Sequence, residues 1–356
     1  MTPSRVALKL AAAAGGPVAE RRWVAWWLLL VALLVAVMVL LGGYTRLTHS
    51  GLSMVEWRPI TGWLPPLSEA AWEREFAQYR QYPEYRLLNR DMTLVGFKDI
   101  YWPEYAHRLL GRVIGLVFGL PLLVVLALRR VDAGLGMRLL FIFMLGAGQG
   151  ALGWYMVRSG LVERPDVSHL RLTAHLTLAV VIYGALLWTA FGQWTAEARR
   201  PPSLGAVIIV ALIMAQIASG GLVAGLDAGL AYNTWPLMDG AFLPAAALQM
   251  EPLWRNVLDN PAMTQFQHRL LAYGVVLALA VQWWRTRDEG PPHNAMSAAL
   301  ALAVGQGALG VLTVMRGVPV TLGVLHQAGA LAVLTAALYG AWVSGVAHGN
   351  QLRRLP

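Results

Sequence analysis

The sequence contains no cysteine and little charge: charged residues make up 13% of its 356 positions, whereas hydrophobic residues make up 57%. Without cysteine, disulfides, thiolate metal sites and iron–sulfur clusters are excluded. The scarcity of charge, together with apolar runs of about 20 residues, excludes an ordinary soluble domain. These runs also lack the alternating pattern of a membrane β-barrel. The composition therefore predicts an all-α integral membrane protein.

Eight apolar runs are long enough to cross a bilayer as helices. They cover residues 23–42, 104–128, 137–157, 170–191, 204–225, 264–284, 295–315 and 321–344. Residues 1–22 and 345–356 are expected to form two tails. The first run is too long for a signal peptide, so we expect it to be retained as the first span.

The net charge of +9 arises from arginines at the ends of the predicted spans, and it indicates orientation rather than a nucleic-acid partner. The basic residues near the chain start and after the even-numbered spans are Arg21, Arg22, Arg129, Arg130, Arg199, Arg200, Arg285, Arg287, Arg353 and Arg354. The positive-inside rule puts them, and both termini, in the cytoplasm. Long loops at 43–103 and 226–263 are then outside, and the lipid bilayer is the main partner.

Three matches recur in the same order and indicate an internal duplication. The string GQGALG stands at 148–153 and 305–310, and HRLL stands at 107–110 and 268–271. At a constant offset, Gly42, Gly43, Gly51, Leu52 and Trp57 match Gly220, Gly221, Gly229, Leu230 and Trp235. Because each unit holds four spans, both copies enter the membrane from the same side. We expect two parallel-repeat four-helix bundles, 23–191 and 204–344, joined by a linker at 192–203.

Four of the eight histidines fall within about the first two turns of even-numbered spans, two in each half: His107, His175, His268 and His326. A single such histidine is more often a helix-packing partner than a ligand. Four at one depth, in duplicate, favour two bis-histidine porphyrin sites, because neutral imidazole is a strong iron ligand. His169 competes with His175, since it is spaced from its GQGALG as His326 is from the other. We prefer His175 because it falls inside the predicted helix.

Two other features have both a ligand-binding interpretation and a structural one. Arg108, Arg112, Arg171 and Arg269, near the outer ends of spans, are suited to bidentate hydrogen bonds with propionates, or to snorkelling towards lipid headgroups. The glycine runs around the two GQGALG strings make room for a flat ligand, or let helices pack closely. Zinc is disfavoured because no histidine pair has a metal-binding helical spacing beside a carboxylate.

The outer loop at 42–66 reads GGYTRLTHSGLSMVEWRPITGWLPP. With EYAHRLLGR at 104–112, RLTAHL at 171–176, QHRLLAY at 267–273 and LHQ at 325–327, it resembles heme A synthase over nearly the whole chain. The absence of cysteine and the long first outer loop are similar to the alphaproteobacterial and mitochondrial subgroup. Thiol-based electron delivery, proposed for members with cysteine pairs, does not transfer to this chain.

The resemblance implies that His268 and His326 ligate a resident heme b, and that His107 and His175 surround the substrate heme O. It implies successive hydroxylations of the C8 methyl to a geminal diol, which loses water to give the formyl group of heme A, needed by terminal oxidases. It also implies a bacterial inner-membrane location, with heme O synthase and an unidentified electron donor as partners.

Glu56 stands in the family loop where the second half has Thr234. A carboxylate kept in one half only is suited to relay protons, or to stabilise positive charge near the substrate methyl. The structural alternative is a solvated carboxylate paired with Arg46 or Arg58. The main rival function is a diheme electron-transfer cytochrome, which needs the same four histidines. A transporter is less favoured because no span has a clear midplane charge or a broken helix.

Overall fold

The computed structural model describes residues 18–58, 61–162, 165–194 and 201–351, with side chains from 22 to 345 within these ranges. Eight long helices run through it: α1 (Val18–Leu47), α2 (Leu94–Ala127), α3 (Ala133–Gly160), α4 (His169–Trp194), α5 (Leu204–Gly225), α6 (Pro261–Arg285), α7 (Pro291–Met315) and α8 (Val320–Gln351). The side chain of Arg21, the residues Arg199, Arg200, Arg353 and Arg354, and most of the predicted tails and linker lie outside the described residues.

The all-α prediction is confirmed for the described part of the chain, where the only pairing of extended backbone is one isolated bridge between Met238 and Ala241. Seven of the long helices are long and apolar enough to cross a membrane. The exception is α6, although its 25 residues are sufficient in length. Gln265, Gln267, His268 and Arg269 near its outer end, with Gln282 near the other, lower its hydropathy.

Helix α2 begins ten residues before the predicted start of the second span at 104. Thr93 caps it, because its side chain accepts a hydrogen bond from the backbone of Gly96 at 3.3 Å. The sequence pattern hid this extension because Lys98, Asp99 and Pro103 interrupt the apolar run. As a result His107 lies in the fourth turn of α2 rather than in its first two turns.

Each half of the chain forms a ring of four helices. In the first half α1 packs on α2 and α4, and α3 packs on α2 and α4; in the second half α5, α6, α7 and α8 repeat these contacts. The halves meet where α4 packs on α5 and where α8 packs on α1 and α4. The apolar core at this junction includes fully buried Leu28, Leu186 and Leu334. Between apolar helices in lipid, such close packing replaces the hydrophobic effect as the source of association.

The structure carries marks of the repeat that are independent of the sequence matches. His49 and Asp227, which correspond at the constant offset, both adopt a left-handed backbone, with φ of 50° and 49°. Equivalent glycines also carry the contacts between halves. A Cβ on Gly43 of α1 would meet Gln327 of α8, and a Cβ on Gly221 of α5 would lie 3.1 Å from Thr173 Oγ1 of α4. These equivalences support the predicted duplication.

The first outer loop is a small folded cap. A helix at Glu69–Tyr79 begins at Ser68, whose side chain accepts a hydrogen bond from Ala71 N, and a short helix follows at Pro83–Leu87. Six buried aromatic residues join the cap to the outer end of α2: Trp72, Phe76, Tyr79, Phe97, Tyr101 and Tyr105. The second outer loop contains short helices at Ala228–Ala231 and Arg255–Asp259 and a 3₁₀ turn at Ala245–Leu248. An ion pair of 2.7 Å from Arg46 to Asp227 joins the outer sides of the two halves.

Candidate functional site

Each of the four predicted histidines lies against a glycine of the neighbouring helix. A Cβ built on that glycine would lie 3.2 Å from His107 Nε2 at Gly42, 2.9 Å from His175 Cε1 at Gly153, 3.2 Å from His268 Cε1 at Gly220, and 2.8 Å from His326 Cε1 at Gly310. These separations are tighter than ordinary van der Waals contact. A larger residue at any of the four positions would therefore press on the imidazole.

The histidines form two pairs, one inside each ring of helices. His175 is close enough to His107, and His268 to His326, for the charge of one ring to act on the other. In each pair the rings come from α2 and α4, or from α6 and α8, which are not neighbours in the ring. The structure therefore brings together, within each half, the two histidines that the sequence had grouped.

Three of the four histidines are also held by a glutamine. Gln149 Nε2 donates to the carbonyl oxygen of His175 at 2.9 Å and lies 3.2 Å from its Nδ1. Gln216 makes the equivalent bond to the carbonyl of His268 at 3.1 Å, and Gln306 to that of His326 at 2.6 Å. Sequence analysis did not assign these glutamines a role, although Gln149 and Gln306 belong to the repeated GQGALG string.

His169, the competitor of His175, has a different environment. It lies at the first position of α4, and its Nε2 is 3.0 Å from Asp259 Oδ1 in the second outer loop. His175 instead lies against Gly153 and Gln149, as His326 lies against Gly310 and Gln306. The chain between Gly153 and His175 is six residues longer than the chain between Gly310 and His326. Equal spacing from GQGALG therefore selects His169, although His175 is the residue that has the environment of His326.

Each of the three guanidinium nitrogens of Arg108, directly after His107, donates to a protein oxygen. Its Nε donates to Glu104 at 2.6 Å, its Nη1 to the carbonyl of Glu56 at 2.8 Å, and its Nη2 to the carbonyl of Met54 at 2.6 Å. Both side chains of the Arg108–Glu104 ion pair are largely buried. Arg108 therefore fixes the family loop above His107, and this geometry favours a positioning role over propionate binding.

The other three arginines that were predicted to bind propionates differ in their hydrogen-bond partners. Arg112 donates from Nη2 to the carbonyl of Arg58 at 2.8 Å. Arg171 donates to the carbonyl of Tyr155 at 2.8 Å and stacks on its ring, 3.6 Å from the centroid. Arg269 reaches Tyr232 O and Gln265 Oε1, both at 3.3 Å, and its buried Nη1 has no partner among the described residues.

Glu56 lies at the surface, with 44% of its side chain exposed, and both oxygens are engaged. Arg58 Nε donates to Oε2 and Gln78 Nε2 donates to Oε1, each at 2.7 Å. The pairing with Arg58 is the one expected for a solvated loop carboxylate, whereas Arg46 binds Asp227 instead. Glu56 also lines a cavity of about 310 Å³ with Arg108, Trp57, Trp154 and Arg158.

The residue equivalent to Glu56 is used differently. Thr234 closes a turn, since its Oγ1 donates to Leu237 O at 2.9 Å and accepts from Asp239 N at 2.8 Å. The asymmetry between the halves noted in the sequence therefore has a structural counterpart: a carboxylate beside a cavity in one half, a turn-forming hydroxyl in the other.

The histidine pairs have the properties that a porphyrin site requires. The donor set is four imidazoles, and among the side chains that the structure describes no three His, Cys, Asp or Glu cluster to hold a bare metal ion. Gly148 and Gly150 in α3, and Gly305 and Gly307 in α7, have no neighbour within 4 Å of a built Cβ, so a flat ligand has room beside them. Buried polar atoms beside these rings also lack a partner among the described residues: Oε1 of Gln149, Gln216 and Gln306, and Nδ1 of His326.

Comparison with known proteins decides the family. The model of the COX15-CtaA family, described as cytochrome oxidase assembly protein, matches residues 25–338. The chain belongs to the COX15-CtaA family. Among its relatives, heme A synthase of Parvibaculum lavamentivorans is 47% identical over 306 residues, covering 85% of this chain and 89% of the relative. Heme A synthase of Azorhizobium caulinodans is 48% identical over 336 residues, 92% and 96% of the two chains.

Membership of the COX15-CtaA family confirms the resemblance drawn from the outer-loop motif. The match extends over nearly all the long helices and so includes both histidine pairs and the loop carrying Glu56. The individual site residues stay predictions.

Proposed function

We propose that the protein is a heme A synthase, an oxidoreductase that converts the C8 methyl of heme O to the formyl group of heme A. Each hydroxylation is a two-electron oxidation that replaces a C–H bond by C–OH; with dioxygen as the oxidant, one oxygen atom enters the product and the other leaves as water, taking two electrons from the donor and two protons. The second gives a geminal diol, which loses water to leave the formyl group. Relatives at 45–48% identity over most of the chain carry this name, which supports the assignment.

The observation that carries the proposal is the two histidine pairs, one in each four-helix half, together with the cavity that Glu56 lines beside Arg108, the residue after His107. His268 and His326 would hold a resident heme b, with Arg269 Nη1 available for a propionate. Bound heme b supplies one-electron redox chemistry to the site. His107 and His175 would receive heme O, and Glu56, on the loop fixed by Arg108, would move a proton at the substrate face of the first half.

The proposed setting is the inner membrane of a bacterium, with eight spans and both termini in the cytoplasm. Eight helices of at least 22 residues support this topology, as do the arginines after even-numbered spans. Heme O synthase, as the source of the substrate, and an electron donor are the proposed partners. Because the resident heme is proposed for the second half, the electron donor would exchange electrons with that half.

A diheme electron-transfer cytochrome is the second candidate, and one observation favours it. The two histidine pairs have nearly equivalent surroundings, as two transfer sites would. It predicts heme b in both halves and no modified heme.

The test combines spectra with separation of the bound hemes. His268→Ala or His326→Ala should remove the low-spin heme b signal from the reduced-minus-oxidised spectrum, because one axial ligand is lost. His107→Ala and His175→Ala should keep much of that signal and abolish heme A formation. His169→Ala is the matched control, since its partner is Asp259, and it should behave as the parent.

Full heme b in both second-half variants would remove those histidines from the ligand set. Normal heme A in either first-half variant would contradict the substrate assignment. Heme b in both halves, with no heme O or heme A extracted at any stage, would favour the electron carrier.

A further inference from the structure

A common motif, Q-x₃-G, underlies three of the four histidine contacts. In Gln149/Gly153, Gln216/Gly220 and Gln306/Gly310 the two residues are four positions apart, so they lie one above the other on one helix face. The glutamine donates to the carbonyl of the histidine residue, and the glycine receives the edge of the imidazole. We call this arrangement the glutamine cradle. It fixes the helix that carries the histidine as well as the ring.

The fourth histidine lacks a glutamine cradle. On α1 the glycine is present as Gly42, against His107, but the residue four positions earlier is Met38. Met38 occupies the repeat position of Gln216, at the offset that relates Gly42 to Gly220. Its methyl carbon lies 3.1 Å from a Cβ built on Gly111, one turn beyond His107, so its side chain reaches the same helix without a donor to offer.

The loss of the amide is not compensated at His107. Among the residues that the structure describes, no hydrogen bond to the His107 side chain is present, whereas Gln149 and Gln216 both approach ring nitrogens of their histidines. In all three glutamine cradles the amide donates to the backbone carbonyl of the histidine, and so ties two helices together. The second half therefore has a cradle on both histidine-bearing helices, whereas the first half has one on α4 and none on α2 among the described residues.

We propose that Met38 makes the first-half pair a releasable porphyrin site, while the glutamine cradles on both sides keep the second-half porphyrin resident. This inference rests on the proposed function, which requires one heme to stay and one to enter and leave. The two porphyrins are then retained differently because of the side chain at one position of the repeat, which is Met38 in the first half and Gln216 in the second.

A reciprocal exchange of the two side chains tests the inference on the full-length, detergent-purified protein. The parent and variants are loaded with heme O, freed of excess, and mixed with excess apomyoglobin, which captures released porphyrin and reports it by absorbance. Met38→Gln should slow release of heme O by about tenfold, since an interhelical hydrogen bond in a membrane contributes on that order. Gln216→Met should speed release of heme b by a similar factor. Met38→Leu, which keeps size without an amide, should release heme O as the parent does.

Release of heme O from Met38→Gln at the parent's rate would overturn the inference. If that variant fails to fold, unchanged heme b release and an unchanged heme b spectrum in Gln216→Met would overturn it equally. Separation of the bound porphyrins distinguishes failure of this inference from failure of the proposed function. Heme b in both halves of the parent would refute the proposed function, yet faster release from the first half, removed by Met38→Gln, would still support the role of Met38.

Discussion

At the level of single side chains, Arg108 connects the parts of the first-half site. It follows His107 in the chain, and it holds the carbonyls of Met54 and Glu56 through a guanidinium that Glu104 neutralises. In the second half Arg269 reaches Tyr232 O, and Gln265 replaces the carboxylate. The first half therefore holds its loop with a charged, buried clamp, and the loop carries the carboxylate that the second half lacks.

Replacement of Glu56 by glutamine separates catalysis from packing. The change keeps size and much of the hydrogen bonding but removes the titrating proton. We expect hydroxylated heme O to accumulate if the second oxidation or the loss of water fails, or heme O itself if the first oxidation fails, with heme b still bound. Chromatography of extracted hemes measures this. Glu75→Gln is the control, because Glu75 also pairs with Arg58, at 3.4 Å, but does not line the cavity. An unchanged heme A yield at matched protein level would leave Glu56 a surface residue.

Glu84 is a buried carboxyl group in the outer cap, 4% exposed. Burial raises its pKa from 4.5 to about 7, with the negative charges of Asp166 and Glu104 acting in the same direction and a hydrogen bond from Tyr79 opposing them. A raised pKa means that the folded cap favours the neutral acid. The stabilisation is complete below pH 4.5 and is lost as the pH rises through about 7.

The cap should therefore be less stable at pH 8 than at pH 5.5, by up to about 2 kcal/mol if the whole shift is expressed as stability. Glu84→Gln should remove most of this pH dependence, since an amide does not titrate in the range. Hydrogen exchange of residues 69–105 at the two pH values is the measurement. Glu69→Gln, at an exposed position of the same cap, should keep the parent's dependence. Equal protection of the parent at both pH values would contradict the prediction.

The grouping of the four histidines into one pair per half was predictable from sequence, because imidazoles near the same end of apolar runs, in duplicate, are rare enough to stand out. The partners that orient them were not. Gln149, Gln216 and Gln306 are uncharged and sit inside apolar runs, so hydropathy treats them as minor interruptions. The clamp by Arg108 depends on a contact across 54 residues of chain, which no local pattern reports.

Among the helices, the long apolar elements were predicted closely and the outer cap was not. Every predicted span falls within one long helix, apart from Leu128 at the end of the second. The helix Glu69–Tyr79 is amphipathic and short, and its buried face is aromatic only where it meets α2 through Trp72, Phe76 and Tyr79. Its stability comes from that tertiary contact, which the local periodicity of the sequence does not report.

The glycine next to each histidine sets how closely two helices approach. Gly310→Ala would place a methyl 2.8 Å from His326 Cε1, so the ring or helix α8 must move, at a cost of about 1–3 kcal/mol. We expect a weaker heme b signal per chain and an altered low-spin spectrum. Gly115→Ala is the matched control, since Gly115 is exposed, lies in α2 of the other half, and has no neighbour within 4 Å among the described residues. Equal heme b content and spectra in the two variants would show that close contact at Gly310 is dispensable.

For the whole molecule, the status of α6 decides the topology. It is the one long helix whose composition falls short of a typical span, yet it carries His268 and Arg269. Most of its polar residues bond inside the protein: Gln265 donates to the carbonyls of Ala228 and Tyr232, both at 3.0 Å, and Gln216 holds His268. A helix whose polar groups face a bundle can cross a bilayer at lower hydropathy than one exposed to lipid. We therefore expect eight spans.

The absence of cysteine makes this topology directly testable, because any introduced thiol is the only one in the chain. Gln81→Cys and Gln249→Cys, at exposed positions of the two outer loops, should react with an impermeant maleimide from the outside of intact cells whose outer membrane has been made permeable. Asp288→Cys, between α6 and α7, should react only after detergent is added, because α6 alone separates it from Gln249. Ala133→Cys, at the first residue of α3, is the internal control and should be protected whichever way α6 lies. Labelling of Asp288→Cys from outside, with Ala133→Cys still protected, would mean that α6 does not cross. His268 would then lie away from the depth of His326, and the proposed second heme site would fail with the topology.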